Sequence, residues 1–187
     1  RGQLRRLLAA KSPVRLMEAH NALSAAIVER AQVEEEGRFR EFDGLWASSL
    51  TESVTKMRPD TESVDVSDRI NLLNQMLEVT TKPFIFDADT GGRVEHFEFT
   101  LKTLERLGVS AAIVEDKTGL KRNSLYGTAV RQEQLDPREF GEKVRAGREF
   151  VFSEDFMLIA RIESLIAGEG IESALNRAMI YLEAGAD

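Results

Sequence analysis

IFDADTGG, residues 85–92, ends an apolar run in two aspartates one residue apart. Residues i and i+2 of a strand point to the same side. The spacing therefore predicts Asp87 and Asp89 side by side at a strand end, where like charges repel unless a positive group lies between them. A strand closed by turn-forming Asp and Gly is the plainer reading of these eight residues. The rest of the chain decides between the two.

Apolar runs alternate with helical periodicities on both sides of the octapeptide. VRLMEAHN (14–21), FDGLWASS (42–49), KPFIFDAD (82–89), SAAIVED (110–116) and DFMLIARIES (155–164) read as strands. Helices are expected over 22–32, 68–80, 95–108 with Gly108 as the stop, 136–150 and 170–185. SLTESVTKMRPDTES (49–63) reads as a loop. Strand–helix units of this length imply a parallel sheet covered by helices, because parallel neighbours need a crossover. A doubly wound sheet and a (β/α)8 TIM barrel both satisfy that pattern. The polar residues tip the balance. His20 and Asn21, Ser48 and Ser49, Asp87 and Asp89, Glu115 and Asp116, and Arg161 and Glu163 fall at or near the C-terminal ends of five strands. Barrel enzymes build their sites at that face, so the α/β fold expected here is the barrel and the two aspartates belong to its site.

Composition sets outer limits. The 187 residues suffice for one good-sized domain, and 42% hydrophobic with 30% charged residues describe an ordinary globular chain. A formal net charge of −7 argues against nucleic acid or an anionic membrane as the main partner. The absence of cysteine removes disulfides, thiolate zinc sites and a cysteine nucleophile together. No apolar run has the length of a membrane span, and the start RGQLRRLLAAK lacks a signal peptide's apolar core, so a cytoplasmic protein is expected.

The chemistry follows from residue types. Asp87, Asp89 and Glu115 form an all-oxygen set suited to magnesium, which keeps several waters and often binds through substrate phosphate or carboxylate. Two histidines and no cysteine give no indication of zinc or copper. Arg161 has a fork suited to a carboxylate or phosphoryl group, or to an ion pair with Glu163. DKTGLKRNSLYG (116–127) is a lid candidate that could bring Lys121, Arg122, Asn123 and Ser124 onto an anionic ligand. Trp46, the only tryptophan, sits beside a polar strand end where it could wall a pocket. Asp60 reads first as a turn or cap residue. His20, at the end of the first strand, could line the pocket.

The segments MEAHNALSAAIVE, FDGLWASSLTES, RPD, TTKPFIFDADTGG, LERLGVSAAIVEDKTGLKRNSLYG, IARIESLIAG and YLEAGAD, in this order, resemble the phosphoenolpyruvate mutase/isocitrate lyase superfamily, and its mutase branch most closely. The resemblance implies a barrel assembled as a homo-oligomer, often a tetramer. It also implies interconversion of phosphoenolpyruvate and phosphonopyruvate, which begins phosphonate biosynthesis. By matching positions it makes Asp87 a direct magnesium ligand, with Asp89 and Glu115 acting largely through bound waters. Trp46, Ser48 and Leu50 would line the substrate pocket with Ser124 and Glu163, and Arg161 would meet the phosphoryl group. Asp60 becomes the candidate nucleophile or phosphoryl guide, and Lys121, Asn123 and Ser124 match the closing loop. The superfamily's carbon–carbon lyases carry a loop cysteine where this chain reads GLKRNS. Phosphonopyruvate hydrolases are the nearer rival, and a non-catalytic fragment is the reading from outside enzymology.

A closed barrel has eight strands and typically about 250 residues. IYLEAGAD repeats the pattern of LERLGVSAAIVED but stops where a sixth strand is expected. The expectation is one catalytic domain over 1–187, truncated after about five βα units and inactive alone, with the family's active-site histidine on the missing strand.

Overall fold

A computed structural model describes residues 1–119 and 121–187. Five strands form one parallel sheet: β1 (Leu16–Glu18), β4 (Gly44–Ala47), β5 (Phe84–Asp87), β6 (Ala111–Glu115) and β7 (Met157–Arg161), paired in that order. Each strand pairs with the next one of the sheet, and α2 (Ala22–Arg30), α4 (Val66–Leu77), α5 (Val94–Leu107) and α6 (Pro137–Phe150) lie between them in the chain, with the short α7 (Ser164–Ala167) and α8 (Gly170–Glu183) after β7. This is the βα succession of a TIM barrel over five units, as the polar strand ends implied.

The two faces of the sheet are filled differently. Phe84 and Phe86 of β5, Ala112 and Val114 of β6 and Leu158 of β7 point into the larger core, against Leu73 and Met76 of α4, Phe97, Leu101 and Leu104 of α5, and Phe140 and Val144 of α6. Ile85, Ala111 and Met157 alternate to the other face, where they meet Leu4. Leu4 belongs to α1 (Gln3–Ala10), a helix the sequence reading did not foresee in the basic start. Gly147 lets α6 close on α5 and the sheet, since a Cβ there would lie 2.8 Å from Leu101 Cδ1 and 3.3 Å from Leu158 Cδ2. Gly108 ends α5 in the left-handed region at φ 88°, as expected of a C-terminal glycine stop.

Two further elements depart from the sequence reading. Residues 32–41 form an antiparallel hairpin, β2 (Gln32–Glu35) and β3 (Arg38–Glu41), separate from the main sheet. Its strands are exposed on both sides, so they lack the apolar alternation that marks a core strand. The first half of the expected 49–63 loop is a helix, α3 (Ser49–Thr55), whose buried residues Ser49, Glu52 and Ser53 are polar and hide its inward face from a hydrophobicity pattern.

Candidate active site

Parallel strands bring their C-terminal ends to one face, and the candidate side chains gather there. β4 delivers Trp46 and, just beyond it, Ser48; β5 delivers Asp87, β6 Glu115 and β7 Arg161. With Ser49, Leu50, Asp60 and the loop residues Lys121, Asn123 and Ser124 they line a pocket of about 160 Å³. Ten of the twelve sequence-predicted site residues are in that lining. Asp89 and Glu163 stand behind it, bonded to residues that line it.

Asp87 and Asp89 do not share a strand side. β5 ends at Asp87, and Asp89 adopts the left-handed region at φ 55°, which breaks the i, i+2 alternation. Its backbone N–H turns back to Asp87 Oδ1 at 3.0 Å, and its carbonyl accepts from the Glu115 N–H at 2.8 Å. Ser49 Oγ donates to Asp87 Oδ2 at 3.0 Å. The positive charge demanded by the paired aspartates is protein-borne. The Lys121 ammonium donates to Asp89 Oδ1, to Ser49 Oγ at 3.0 Å and to Asp60 Oδ1 at 2.9 Å. Arg69 NH1 donates to Asp89 Oδ2 from behind at 2.8 Å.

The loop is tied down at two places. Asn123 Nδ2 donates to Asp60 Oδ2 at 2.8 Å, so lysine and asparagine each take one oxygen of the same carboxylate. Farther along, Ser124 Oγ donates to Glu163 at 2.8 Å and accepts from Lys117 at 2.7 Å and from Arg161 at 2.9 Å. Arg161 makes the ion pair with Glu163 that its position allowed, Nε to Oε1 at 2.6 Å, while its side chain stays one-third exposed at the pocket. Arg122 contributes its carbonyl, which accepts from Lys117 at 2.9 Å. His20 is not in the lining.

Burial governs the ionisable groups. It pushes Glu115 up to about 7 against the pull of Lys121 and Lys117, and the neighbouring Glu163 adds to the rise. It also works against the Lys121 ammonium, yet Asp89, then Glu115 and Asp87, outweigh it and hold that pKa above the ordinary lysine value. Among the described residues no three His, Cys, Asp or Glu side chains are gathered closely enough to hold a metal, and the Lys121 ammonium lies among the carboxylates. The donor chemistry nonetheless fits a hard divalent cation. The set is all oxygen, it already attracts a cationic group, and Glu115 Oε1 is buried without a hydrogen-bond partner.

Ser49 entered the sequence reading only as a polar strand end, and three contributors escaped it. Lys117 lies in the 116–127 stretch next to Asp116, where the polar strand end offered some signal. Arg69 and Glu52 lie inside helices, and nothing in their spacing marks them as buried.

Comparison with known proteins follows the same lines. The sequence model of a family described as phosphoenolpyruvate phosphomutase matches residues 4–187. A phosphoenolpyruvate phosphomutase of Tetrahymena pyriformis is 38% identical over 186 residues, covering 99% of this chain and 59% of that protein. The crystal structure of a phosphoenolpyruvate phosphomutase from Streptomyces platensis subsp. rosaceus superposes with a TM-score of 0.89 at 35% identity, over 99% of this chain and 61% of that one. A phosphonopyruvate hydrolase solved with oxalate and magnesium superposes with a TM-score of 0.85 at 32% identity, over 99% and 60%. The chain thus spans about three fifths of the length of these relatives.

Proposed function

The chain belongs to the phosphoenolpyruvate phosphomutase family, and we propose that the whole protein interconverts phosphoenolpyruvate and phosphonopyruvate, the carbon–phosphorus bond-forming step of phosphonate biosynthesis. The observation that carries this reading is the meeting of loop and floor at Asp60, where Lys121 and Asn123 each hold one carboxylate oxygen at 2.9 and 2.8 Å. A turn aspartate needs no such partners. A carboxylate placed to accept or guide a phosphoryl group does, because phosphoryl transfer depends on positioning and charge neutralisation.

Starting from phosphonopyruvate, the carbon–phosphorus bond breaks and its electron pair remains on the organic part as the pyruvate enolate. The phosphoryl group then bonds to the enolate oxygen, so no atom comes from solvent. Asp60 stands on this path as acceptor or guide. Arg161, its fork oriented by Glu163, supplies positive charge to the phosphoryl oxygens. Trp46, Ser48 and Leu50 shape the pocket around the carboxylate end. Lys121, Asn123 and Ser124 hold the loop down, which keeps water from intercepting the phosphoryl group. Asp87, Asp89 and Glu115 would hold magnesium, which supplies polarisation of the substrate oxygens. A homotetramer in the cytoplasm, without nucleic-acid or membrane partners, belongs to the same proposal. Among the described residues no helix is long and apolar enough to cross a membrane.

Phosphonopyruvate hydrolysis is the second reading, favoured by the likeness to the solved hydrolase. Carbon–carbon lyase chemistry of the cysteine-dependent kind is disfavoured because the chain contains no cysteine. Phosphorus NMR of the whole protein with phosphonopyruvate and magnesium tests the proposal. Phosphoenolpyruvate as product supports it, and pyruvate with inorganic phosphate replaces it by the hydrolase reading.

A further inference from the structure

Behind the pocket floor lies a buried ion pair that the chemistry above does not use. Arg69 of α4 is 1% exposed and Glu52 of α3 is 0% exposed. Arg69 Nε donates to Glu52 Oε2 at 2.5 Å, while NH1 donates to Asp89 Oδ2 at 2.8 Å. The guanidinium lies 4.4 Å from the centroid of the Phe86 ring. Taking such a pair out of water costs as much as its attraction returns, and apolar residues of similar volume are often as stable or more so. Stability alone therefore gives no reason for the pair. Its geometric effect is specific: Glu52 fixes the orientation of the guanidinium, and the guanidinium holds Asp89 Oδ2 away from the pocket. Asp89 Oδ1 is left as the oxygen that meets the loop ammonium.

We propose that the Glu52–Arg69 pair positions Asp89 so that it offers the pocket a single oxygen, and thereby sets a preference for magnesium over calcium at the carboxylate site. The inference rests on the magnesium reading given above. Magnesium demands a compact octahedron and retains waters, whereas calcium takes six to eight oxygens and often both oxygens of one carboxylate. With Oδ2 held by Arg69, Asp89 is denied the two-oxygen grip that would favour the larger ion. Arg69 and Glu52 are positioning residues here, acting on the site only through Asp89.

The test uses manganese binding by the whole protein, followed by electron paramagnetic resonance and displaced with magnesium or calcium. Glu52→Leu/Arg69→Leu removes one positive and one negative charge together, so the net charge around the site is unchanged. Orienting partners of metal ligands are typically worth about ten- to a hundredfold in affinity, so the magnesium-over-calcium preference should fall by about tenfold or more. Arg69→Lys keeps the charge but cannot fork between two carboxylates. It should show the same loss of preference, and it decides the question if the double variant does not fold. A folded variant with the wild-type preference overturns the inference. If Asp87→Asn abolishes manganese binding in that same case, the magnesium reading survives without it. A wild-type protein that binds no manganese overturns both.

Discussion

The Lys121 ammonium donates to Asp60 at 2.9 Å and to Asp89 at the same time. One loop cation thus joins the carboxylate assigned to the phosphoryl group with one assigned to the metal. Under the proposed function this side chain couples loop position to phosphoryl handling and cation binding, and each can be disturbed separately.

Asp87 accepts at both oxygens, from Ser49 Oγ and from the Asp89 N–H. Asp87→Asn exchanges one acceptor for a donor, costing about 1 kcal/mol, while relieving repulsion with Asp89. The melting temperature should therefore change little as the magnesium concentration needed for half-maximal turnover rises sharply. A collapse in melting with unchanged magnesium dependence would show the residue to be structural.

Asp60→Ala should abolish turnover, a loss in the range of key catalytic groups, while substrate still binds through Arg161 and the metal. It also removes the anchor of Lys121 and Asn123, so the 116–127 loop should become more sensitive to proteolysis. Lost capping alone would cost about 1 kcal/mol and leave activity near normal. Near-normal turnover contradicts the assignment.

Asn123→Ala frees one oxygen of Asp60 and loosens the loop without touching the metal carboxylates. Water should then compete for the phosphoryl group, giving pyruvate and inorganic phosphate beside the mutase product. Product analysis showing unaltered rate and fidelity would reduce the loop to a surface feature.

A purely structural network provides the contrast. The Tyr181 hydroxyl donates to Asp116 Oδ2 at 2.7 Å and accepts from Arg177 at 2.9 Å, tying α8 to the end of β6. Tyr181→Phe leaves a buried carboxylate short of a donor and should cost about 1–3 kcal/mol of stability. Manganese affinity should not move. A shift in metal affinity with unchanged melting would place this network in the site.

Sequence reading recovered what hydrophobic period and strand-end chemistry encode. The five parallel strands are apolar runs bounded by turn residues, and Trp46, Ser48, Asp87, Glu115 and Arg161 follow from lying at their ends. Asp60 was reached through resemblance and Asn123 only as one residue of a polar lid candidate, because a loop aspartate and asparagine carry no periodic signal and their meeting across 63 positions is a product of the fold. The left-handed turn at Asp89 was missed because strand alternation was carried two residues past the end of β5. Arg69 was missed because a charged residue on an amphipathic helix ordinarily faces water, and Glu52 because its segment reads as a loop; only the assembled fold shows that both are buried.

In the proposed reaction the phosphoryl group passes within the substrate while the closed loop keeps water out. Phosphorus NMR of phosphonopyruvate turnover in heavy-oxygen water tests it most directly, since each solvent oxygen bonded to phosphorus shifts the resonance. Phosphoenolpyruvate that carries no heavy oxygen at the three non-bridging positions on phosphorus is the predicted product. Inorganic phosphate carrying one heavy oxygen, as the main product of the unaltered protein, would contradict the account.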